Sequence, residues 1–107
     1  MTSATLSRVI DYIDAYTQDS ITLDDLAREA NLSKFHFLRA FVATMGMTPH
    51  RYLVEIRMAR AAELLTVGDQ TVSAIAALCG YSSSARFSAN FRQHYGTTPG
   101  AFRQRRE

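Results

Sequence analysis

The sequence predicts an all-α protein built from two similar helix-turn-helix units. Apolar residues recur at helical spacing almost throughout, and no run alternates for long enough to predict a strand. Capping and turn residues divide the chain into short helices around one long helix. The order of these elements in the first half returns in the second half, which indicates an internal repeat.

Three helices are predicted before residue 47, and each has a face of inward residues. These faces are formed by Leu6, Val9, Ile10, Ile13 and Tyr16 in the first helix, by Leu23, Leu26, Ala27 and Ala30 in the second, and by Phe37, Ala40, Phe41 and Thr44 in the third. Thr22 and Ser33 are predicted to cap the second and third helices. Asn31 and Gly46 end them, because both residue types tolerate left-handed backbone.

The segment GMTPHRY, residues 46–52, is predicted to end one helix and begin the next. Thr48 supplies the cap, and Pro49 takes the first helical position, where its missing N–H has no partner to lose. The helix that follows is the longest one predicted, with about 18 residues of continuous helical pattern. It separates the two units.

The second unit repeats the first in the same order. Thr71 replaces Thr22 as a cap, Gly80 replaces Asn31 in the turn, and GTTPGAF, residues 96–102, repeats the earlier segment. The predicted inward residues of this unit are Val72, Ile75, Ala76 and Cys79 in its first helix and Phe87 and Phe91 in its second. Corresponding residues are 49 positions apart before the turn and 50 after it, so the second turn holds one extra residue.

The charge of the chain is unevenly divided. Residues 1–50 hold four basic and six acidic groups, whereas residues 51–107 hold eight and four. No Asp or Glu occurs from Gln70 to Arg106, and eleven of the twelve basic residues are arginine. Because a solvated face normally mixes signs, the acid-free stretch favours a polyanionic partner such as nucleic acid.

Several classes of function find no support in the sequence. No apolar run approaches the roughly 18 residues of a membrane span, and the charged N-terminus is unlike a signal peptide, so a cytoplasmic protein is expected. Cys79 is expected to be a buried structural thiol, and His36, His50 and His94 lack the spacing of a zinc site. No glycine-rich phosphate loop or paired-carboxylate site is visible, so neither an enzyme nor a cofactor or metal is expected.

Two short helices joined by a tight turn are typical of a helix-turn-helix. Any antiparallel helix pair needs caps and a turn, so a helical module that binds protein, with its arginines serving acidic partners, is the alternative. An α-solenoid is disfavoured, because it needs three or more repeats and the long helix interrupts a simple stack. Repetition together with the acid-free stretch favours binding to double-stranded DNA.

The sequence resembles the DNA-binding domain of the AraC/XylS family of bacterial transcription regulators from about Val9 to Arg103. The most specific segments are IAALCGYSSSARFSANFRQHYGTTPGAFR in the second unit and RMARAAELL, residues 57–65, in the long helix. The resemblance implies a seven-helix domain covering 1–107, with a first unit at 5–47, a linker helix at 48–66 and a second unit at 67–107. It also implies that the second helix of each unit enters the major groove, and that the chain acts on transcription through RNA polymerase.

The predicted base readers of the first unit come from the side of the third helix that points away from Phe37 and Phe41. Phe35, Arg39 and Val42 are predicted to lie on that side, with Leu38 and His36 on its flanks. Phe35, Leu38 and Arg39 are the candidates, and the resemblance implies the same positions. Arg39 suits guanine through its planar fork, and the two apolar side chains suit thymine methyl groups. Core packing is the alternative for Phe35 and Leu38.

The corresponding helix of the second unit is poorer in readers. Its base-contact candidates are Ser84, Ala85, Arg86, Ser88 and Ala89, of which the alanines permit close approach but read little. The phosphate-contact candidates of both units are Ser33, Lys34, His36, Ser83 and Arg92. Simple N-capping is the alternative for Ser33 and Ser83.

The long helix suits the role of a spacer, because its length of about 27 Å is comparable with the distance of about 34 Å between successive major-groove segments. One chain could then cover two groove segments. Arg57 and Arg60 either brace this helix or are solvated, and Arg103, Arg105 and Arg106 are predicted to form a frayed basic tail. Since most members of the family add an effector or dimerisation domain, the chain is either a stand-alone regulator or a fragment of a longer one.

Overall fold

The computed structural model describes residues 1–105 and contains seven α-helices within that range, with no strand among them. The helices are α1 Ser3–Ala15, α2 Leu23–Ala30, α3 Lys34–Met45, α4 Pro49–Val67, α5 Val72–Leu78, α6 Ser84–Tyr95 and α7 Pro99–Gln104. The prediction of an all-α fold with seven helices is confirmed. None of the helices in the described range is both long and apolar enough to cross a bilayer.

The chain divides into two compact units, Met1–Glu55 and Ile56–Glu107, which we call the first and the second unit from here on. Helix α4 contributes residues to both units, because the division falls between Glu55 and Ile56. Each unit therefore contains a pair of short helices followed by a Thr-Pro segment, together with part of the long helix.

The core of the first unit is formed by α1, α2, α3 and the first turns of α4. Its buried residues are Val9, Ile13, Leu26, Ala27, Ala30, Phe37, Phe41 and Leu53. Two predicted inward residues are exposed instead. Tyr16 follows the last residue of α1, with its ring tilted against that of Tyr12 at a centroid distance of 4.7 Å, and Thr44 lies in the last turn of α3. Both residues lie at the end of a helix, beyond the part of the helix that packs against the core, and the prediction of an inward side chain is therefore wrong for both.

The core of the second unit is built in the same way. Its buried residues include Met58, Ala61, Leu65, Ile75, Ala76, Cys79, Phe87 and Phe91. The ring centroids of Phe87 and Phe91 are 6.0 Å apart, close to the 5.7 Å between the ring centroids of Phe37 and Phe41 in the first unit. Burial raises the pKa of the Cys79 thiol, as expected for a thiol that serves packing rather than chemistry.

The turn of each helix pair uses the same backbone device. Asn31 and Gly80 adopt left-handed backbone, with φ of 58° and 88°. The residue after each donates its N–H to the carbonyl oxygen of an alanine five residues back, from Leu32 to Ala27 and from Tyr81 to Ala76, at 3.0 Å in both cases. The N-caps Ser33 and Ser83 confirm the extra residue in the second turn, since they are 50 positions apart whereas Asn31 and Gly80 are 49 apart.

The two Thr-Pro segments also form as predicted. Gly46 and Gly96 end α3 and α6 in left-handed conformation, with φ of 75° and 74°. The hydroxyl oxygens of Thr48 and Thr98 accept the N–H groups of Arg51 and Ala101 at 3.1 and 3.2 Å. One segment opens the 19-residue helix α4 and the other the six-residue helix α7.

Candidate nucleic-acid interface

The second short helix of the first unit, α3, separates a buried face from an exposed one. Ser33 caps it by accepting the N–H of His36 at 3.2 Å, and Phe37 and Phe41 fasten it to the core. The opposite face is formed by Phe35, Arg39 and Val42, which are all exposed and follow each other at spacings of four and three residues. They therefore form one continuous exposed strip along α3.

Phe35 is the most exposed large hydrophobic residue of the described chain, at 78%. Core packing, which was the alternative for this residue, is excluded by that exposure. Val42 is 39% exposed and continues the apolar edge of the strip two turns further along. The sequence had placed Val42 on the outward face but not among the candidate readers.

Leu38 lies differently from the other candidates of the first unit. It is half-buried and lines an apolar cavity of about 220 Å³. The other lining residues are Ile21, Thr22, Leu23, Leu26, Thr48, Pro49, His50 and Leu53. Its side chain thus contacts the edge of the core, which leaves Phe35 and Arg39 as the fully outward pair.

The corresponding helix of the second unit, α6, exposes small residues and arginines. Ser83 caps it by accepting the N–H of Arg86 at 3.2 Å. The exposed candidates on this helix are Ser84, Ala85, Arg86, Ala89 and Arg92, whereas Ser88 is half-buried like its counterpart Leu38. The strip that corresponds to Phe35, Arg39 and Val42 consists of Ala85, Ala89 and Arg92.

A side-chain contact between the paired helices recurs in both units with different chemistry. Lys34 Nζ lies 3.3 Å from Asp24 Oδ1 in the first unit, and both side chains are half-exposed or more. At the equivalent positions of the second unit, Ser84 donates its hydroxyl to Ser73 at 3.3 Å. The two contacts are equivalent in the repeat, because Asp24 and Ser73 are 49 positions apart and Lys34 and Ser84 are 50 apart.

Both α3 and α6 lack carboxylates, whereas five of the six acidic residues of the first 50 precede α2 or lie in its first turn. The exposed cations on the two helices are Lys34, Arg39, Arg86 and Arg92. A positive potential on these two helices is the electrostatic condition for binding a phosphate backbone.

The remaining arginines differ from one another. Arg57 is half-buried with its guanidinium 5.5 Å from the centre of the Tyr81 ring, and burial lowers its pKa, so it braces α4 within the second unit. Arg60 is exposed. The predicted frayed tail is wrong for Arg103, which lies in α7 and is half-buried. Arg105 follows α7 and is exposed, and Arg106 lies outside the described residues.

Arg103 takes the place that the buried Leu53 has in the first unit, 50 positions earlier. Its Nε and Nη2 atoms are buried and meet no hydrogen-bond acceptor within residues 1–105. Helical spacing alone could not predict this, because a polar residue at the chain terminus normally indicates solvation.

Comparison with known proteins finds helix-turn-helix proteins that match most of the chain. The sequence model of a family described as "Helix-turn-helix domain" matches residues 26–105. The regulatory protein PocR of Salmonella typhimurium is 34% identical over 99 residues, which is 92% of this chain and 33% of PocR. The chain spans about a third of the length of the curated relatives it matches.

Two solved structures are similar along nearly their whole length. An AraC-type transcriptional regulator from Chromobacterium violaceum is 29% identical with a TM-score of 0.87, covering 96% of this chain and 92% of that one. The DNA-binding domain of the global transcriptional factor AdpA, solved in complex with a target DNA, is 28% identical with a TM-score of 0.89. That likeness covers 94% of this chain and 90% of the AdpA domain.

The duplicated helix pairs, their exposed carboxylate-free helices and these likenesses define a DNA-binding domain of the helix-turn-helix class, as found in transcription regulators. More particularly, the chain belongs to the AraC/XylS family. That family consists of DNA-binding regulators rather than enzymes.

Proposed function

We propose that this chain binds double-stranded DNA sequence-specifically through α3 and α6 and thereby regulates transcription. The observation that carries the proposal is the repeated presentation of these two helices. Each is capped by a serine, fastened by a phenylalanine pair and exposed on the opposite face, and neither contains a carboxylate. The similarity to the AdpA domain, which was solved with its target DNA, supports the same function here.

The proposed base contacts come from the exposed strip of each helix. In the first unit Arg39 forks onto guanine while Phe35 contacts a thymine methyl group, and Leu38 contributes at the edge of the strip. In the second unit Arg86 makes the main polar contact, Ser84 and Ser88 assist, and Ala85 and Ala89 let the helix approach the bases closely.

The proposed phosphate contacts flank these strips. Ser33, Lys34, His36 and Ser83 lie at the N-terminal ends of α3 and α6, where helix dipoles favour anions, and Arg92 lies near the other end of α6. Lys34 can exchange its exposed ion pair with Asp24 for a phosphate at little cost, because exposed ion pairs contribute only about 0 to 1 kcal/mol. Such contacts fix the register of the protein on DNA without reading sequence.

We further propose that one chain covers two adjacent major-groove segments, with α4 as the spacer between its readers. Its 19 residues correspond to about 28 Å of helix, against about 34 Å between successive groove segments on one face of DNA. A two-unit chain then replaces the dimer that a single helix-turn-helix needs, and its site need not be palindromic.

The proposed partners beyond DNA follow from regulation of transcription in a bacterial cytoplasm. RNA polymerase is the machinery on which such a regulator acts. The curated relatives are longer than this chain, which covers about a third of their length. If the chain is likewise part of a longer regulator, we propose that the rest of that regulator includes an effector or dimerisation domain.

The proposal is tested by selecting binding sites from random duplexes and then titrating the selected duplex with salt. We expect enrichment of one non-palindromic sequence and a steep loss of affinity between about 50 and 200 mM salt. Arg92→Gln serves as a matched variant, expected to reduce the slope of log affinity against log salt by about one while keeping the selected sequence. A protein that binds no duplex at low salt would instead be the helical protein-binding module.

A further inference from the structure

The two units of the chain provide a comparison of α3 with α6 at equivalent positions. Both helices begin at a serine cap, bury a phenylalanine pair and end at a left-handed glycine. Phe35 corresponds to Ala85, so the architecture of the unit does not require an aromatic ring at this position. The 78% exposure of Phe35 shows that the core of the first unit does not use it either.

The chemistry of Phe35 restricts what it can contact in a major groove. Its ring has no hydrogen-bonding group, and the apolar group that base edges present there is the C5 methyl of thymine. 5-Methylcytosine carries the same methyl group at the same ring position. An exposed phenylalanine at the start of a reading helix therefore suits a 5-methylpyrimidine.

Arg39 lies one helical turn after Phe35 on the same exposed strip. Four residues advance about 6 Å along a helix, which is less than two base-pair steps of about 3.4 Å. A guanidinium at this distance can fork onto a guanine next to the pyrimidine that Phe35 contacts. Val42 continues the strip with a second apolar side chain, and α3 itself contains no carboxylate that would compete for Arg39.

The second unit lacks this combination. The positions of Phe35 and Arg39 hold Ala85 and Ala89, and the Ser84 hydroxyl is already hydrogen-bonded to Ser73. Arg92 lies in the last turn of α6, away from the helix start that usually meets the bases. Arg86 is the one long polar side chain at the start of this helix.

We infer that base discrimination is concentrated in the first unit, where Phe35 and Arg39 together read a 5-methylpyrimidine beside a guanine, while the second unit adds affinity with little discrimination. The inference rests on the proposed function and assigns the chemistry of its site. Since the methyl group rather than thymine itself is read, methylation of a cytosine at this position substitutes for thymine.

The experiment uses the selected duplex and removes methyl groups one at a time by replacing each thymine with deoxyuridine, which leaves base pairing unchanged. We expect the replacement of one thymine, adjacent to a guanine, to lower the affinity of the protein for the duplex about fourfold, which is the contribution of one buried methyl group. Placing cytosine there should weaken binding, and 5-methylcytosine should recover about the same factor. In Phe35→Ala, which introduces the residue found at position 85, the difference between thymine and deoxyuridine should vanish.

Arg86→Ala is the matched control in the second unit. It should lower affinity for the selected duplex while the effect of removing the methyl group stays unchanged. The inference is overturned if specific binding is indifferent to every thymine-to-deoxyuridine exchange, or if Phe35→Ala retains the full methyl effect. Absence of any specific binding would overturn the proposed function itself, which separates the two failures, and circular dichroism verifies that each variant is folded.

Discussion

At the scale of single residues, the exposed strips of α3 and α6 differ in chemistry, because Phe35 and Arg39 correspond to Ala85 and Ala89. Burying a phenylalanine side chain stabilises a protein by about 1.5 to 3 kcal/mol, and Phe35 forgoes most of that gain in the free protein. Its counterpart Ala85 has little to gain from burial. In the proposed complex with DNA, Phe35 gains a new apolar contact, and Arg39 on the same strip makes the polar contact beside it.

Replacing Arg39 with alanine should weaken binding to the selected duplex by about 1 to 3 kcal/mol and relax the preference at one base pair. The reason is that Arg39 is exposed and lies in the middle of the strip, where its fork can reach a guanine edge. Competition binding against all four base pairs at that position measures both effects. Arg39→Lys is the control, because lysine keeps the charge without the fork. A loss that is uniform over all sequences would make Arg39 a phosphate contact instead.

Replacing Ala85 with glutamate tests whether α6 faces DNA. Ala85 is exposed in the first turn of α6, so the fold should survive, and a carboxylate there even complements the helix dipole. Against a phosphate backbone the new charge is repulsive, and binding should be abolished. Ala85→Gln, of nearly the same size but uncharged, should bind far better. Thermal unfolding monitored alongside DNA binding distinguishes a lost contact from a lost fold, and unfolding of the glutamate variant would show Ala85 to be core.

At the scale of helices, the first unit has a capping device that the second lacks. Thr22 accepts the N–H of Asp25 at 3.1 Å, and the Asp25 carboxylate accepts the N–H of Thr22 at 3.0 Å, so that cap and third residue satisfy each other. At the start of α5, Thr71 accepts the N–H of Ala74, which offers no carboxylate in return. Among the helices of residues 1–105, the start of α2 alone combines this reciprocal cap with a titratable group.

The hydrogen bonds from Thr22 to the carboxylate hold the pKa of Asp25 below its ordinary value. A carboxyl whose folded pKa is depressed contributes stability above its unfolded pKa, near 3.9, and loses it as pH falls through the folded value. Asp25→Asn should therefore lose stability at neutral pH and show a shallower decline on acidification. Denaturant unfolding between pH 3 and pH 7 compares the two proteins. Parallel pH profiles would show that Asp25 does not contribute in this way.

The helices and their boundaries could be predicted because they depend on local chemistry. Caps such as Thr22 and Ser83 and left-handed residues such as Asn31 and Gly80 act within a few residues of their own position. Leu38 and Arg103 were harder to predict, because their surroundings come from helices distant in sequence. Leu38 contacts the cavity lined by α2 and α4, and Arg103 replaces a core leucine of the first unit.

The candidate site likewise has a part that could be predicted from local spacing and a part that depends on how helices pack. Spacing from the phenylalanine pair was enough to place Phe35, Arg39, Ala85 and Ala89 on exposed faces, because a helix has a fixed periodicity. The contacts of Lys34 with Asp24 and of Ser84 with Ser73 required the packing of two helices, which periodicity does not specify. Their roles towards DNA remain predictions that the binding experiments address.

At the scale of the whole molecule, the repeat gives one chain two candidate reading helices, α3 and α6, with unequal chemistry on their exposed strips. Helix α4 contributes to the cores of both units, through Leu53 in the first and Met58, Ala61 and Leu65 in the second. Helix α4 is one uninterrupted helix of 19 residues between α3 and α6. The number of residues between the two candidate reading helices is therefore set by the sequence, whereas in a dimer the two reading helices belong to different chains. If α3 and α6 both bind DNA as proposed, changing the distance between the two half-sites should change the affinity.

Changing the distance between the half-sites of the selected duplex tests this expectation without altering the protein. Inserting five base pairs turns one half-site by about half a helical turn, so that the two units can no longer meet both half-sites on one face of DNA. We expect affinity to fall by about tenfold, the loss of the one good base contact proposed for Arg86. The same five base pairs inserted outside the site are the control and should have no effect. If the interrupted site binds as tightly as the original, the second unit makes no sequence-specific contact, and Arg86 is not a base reader.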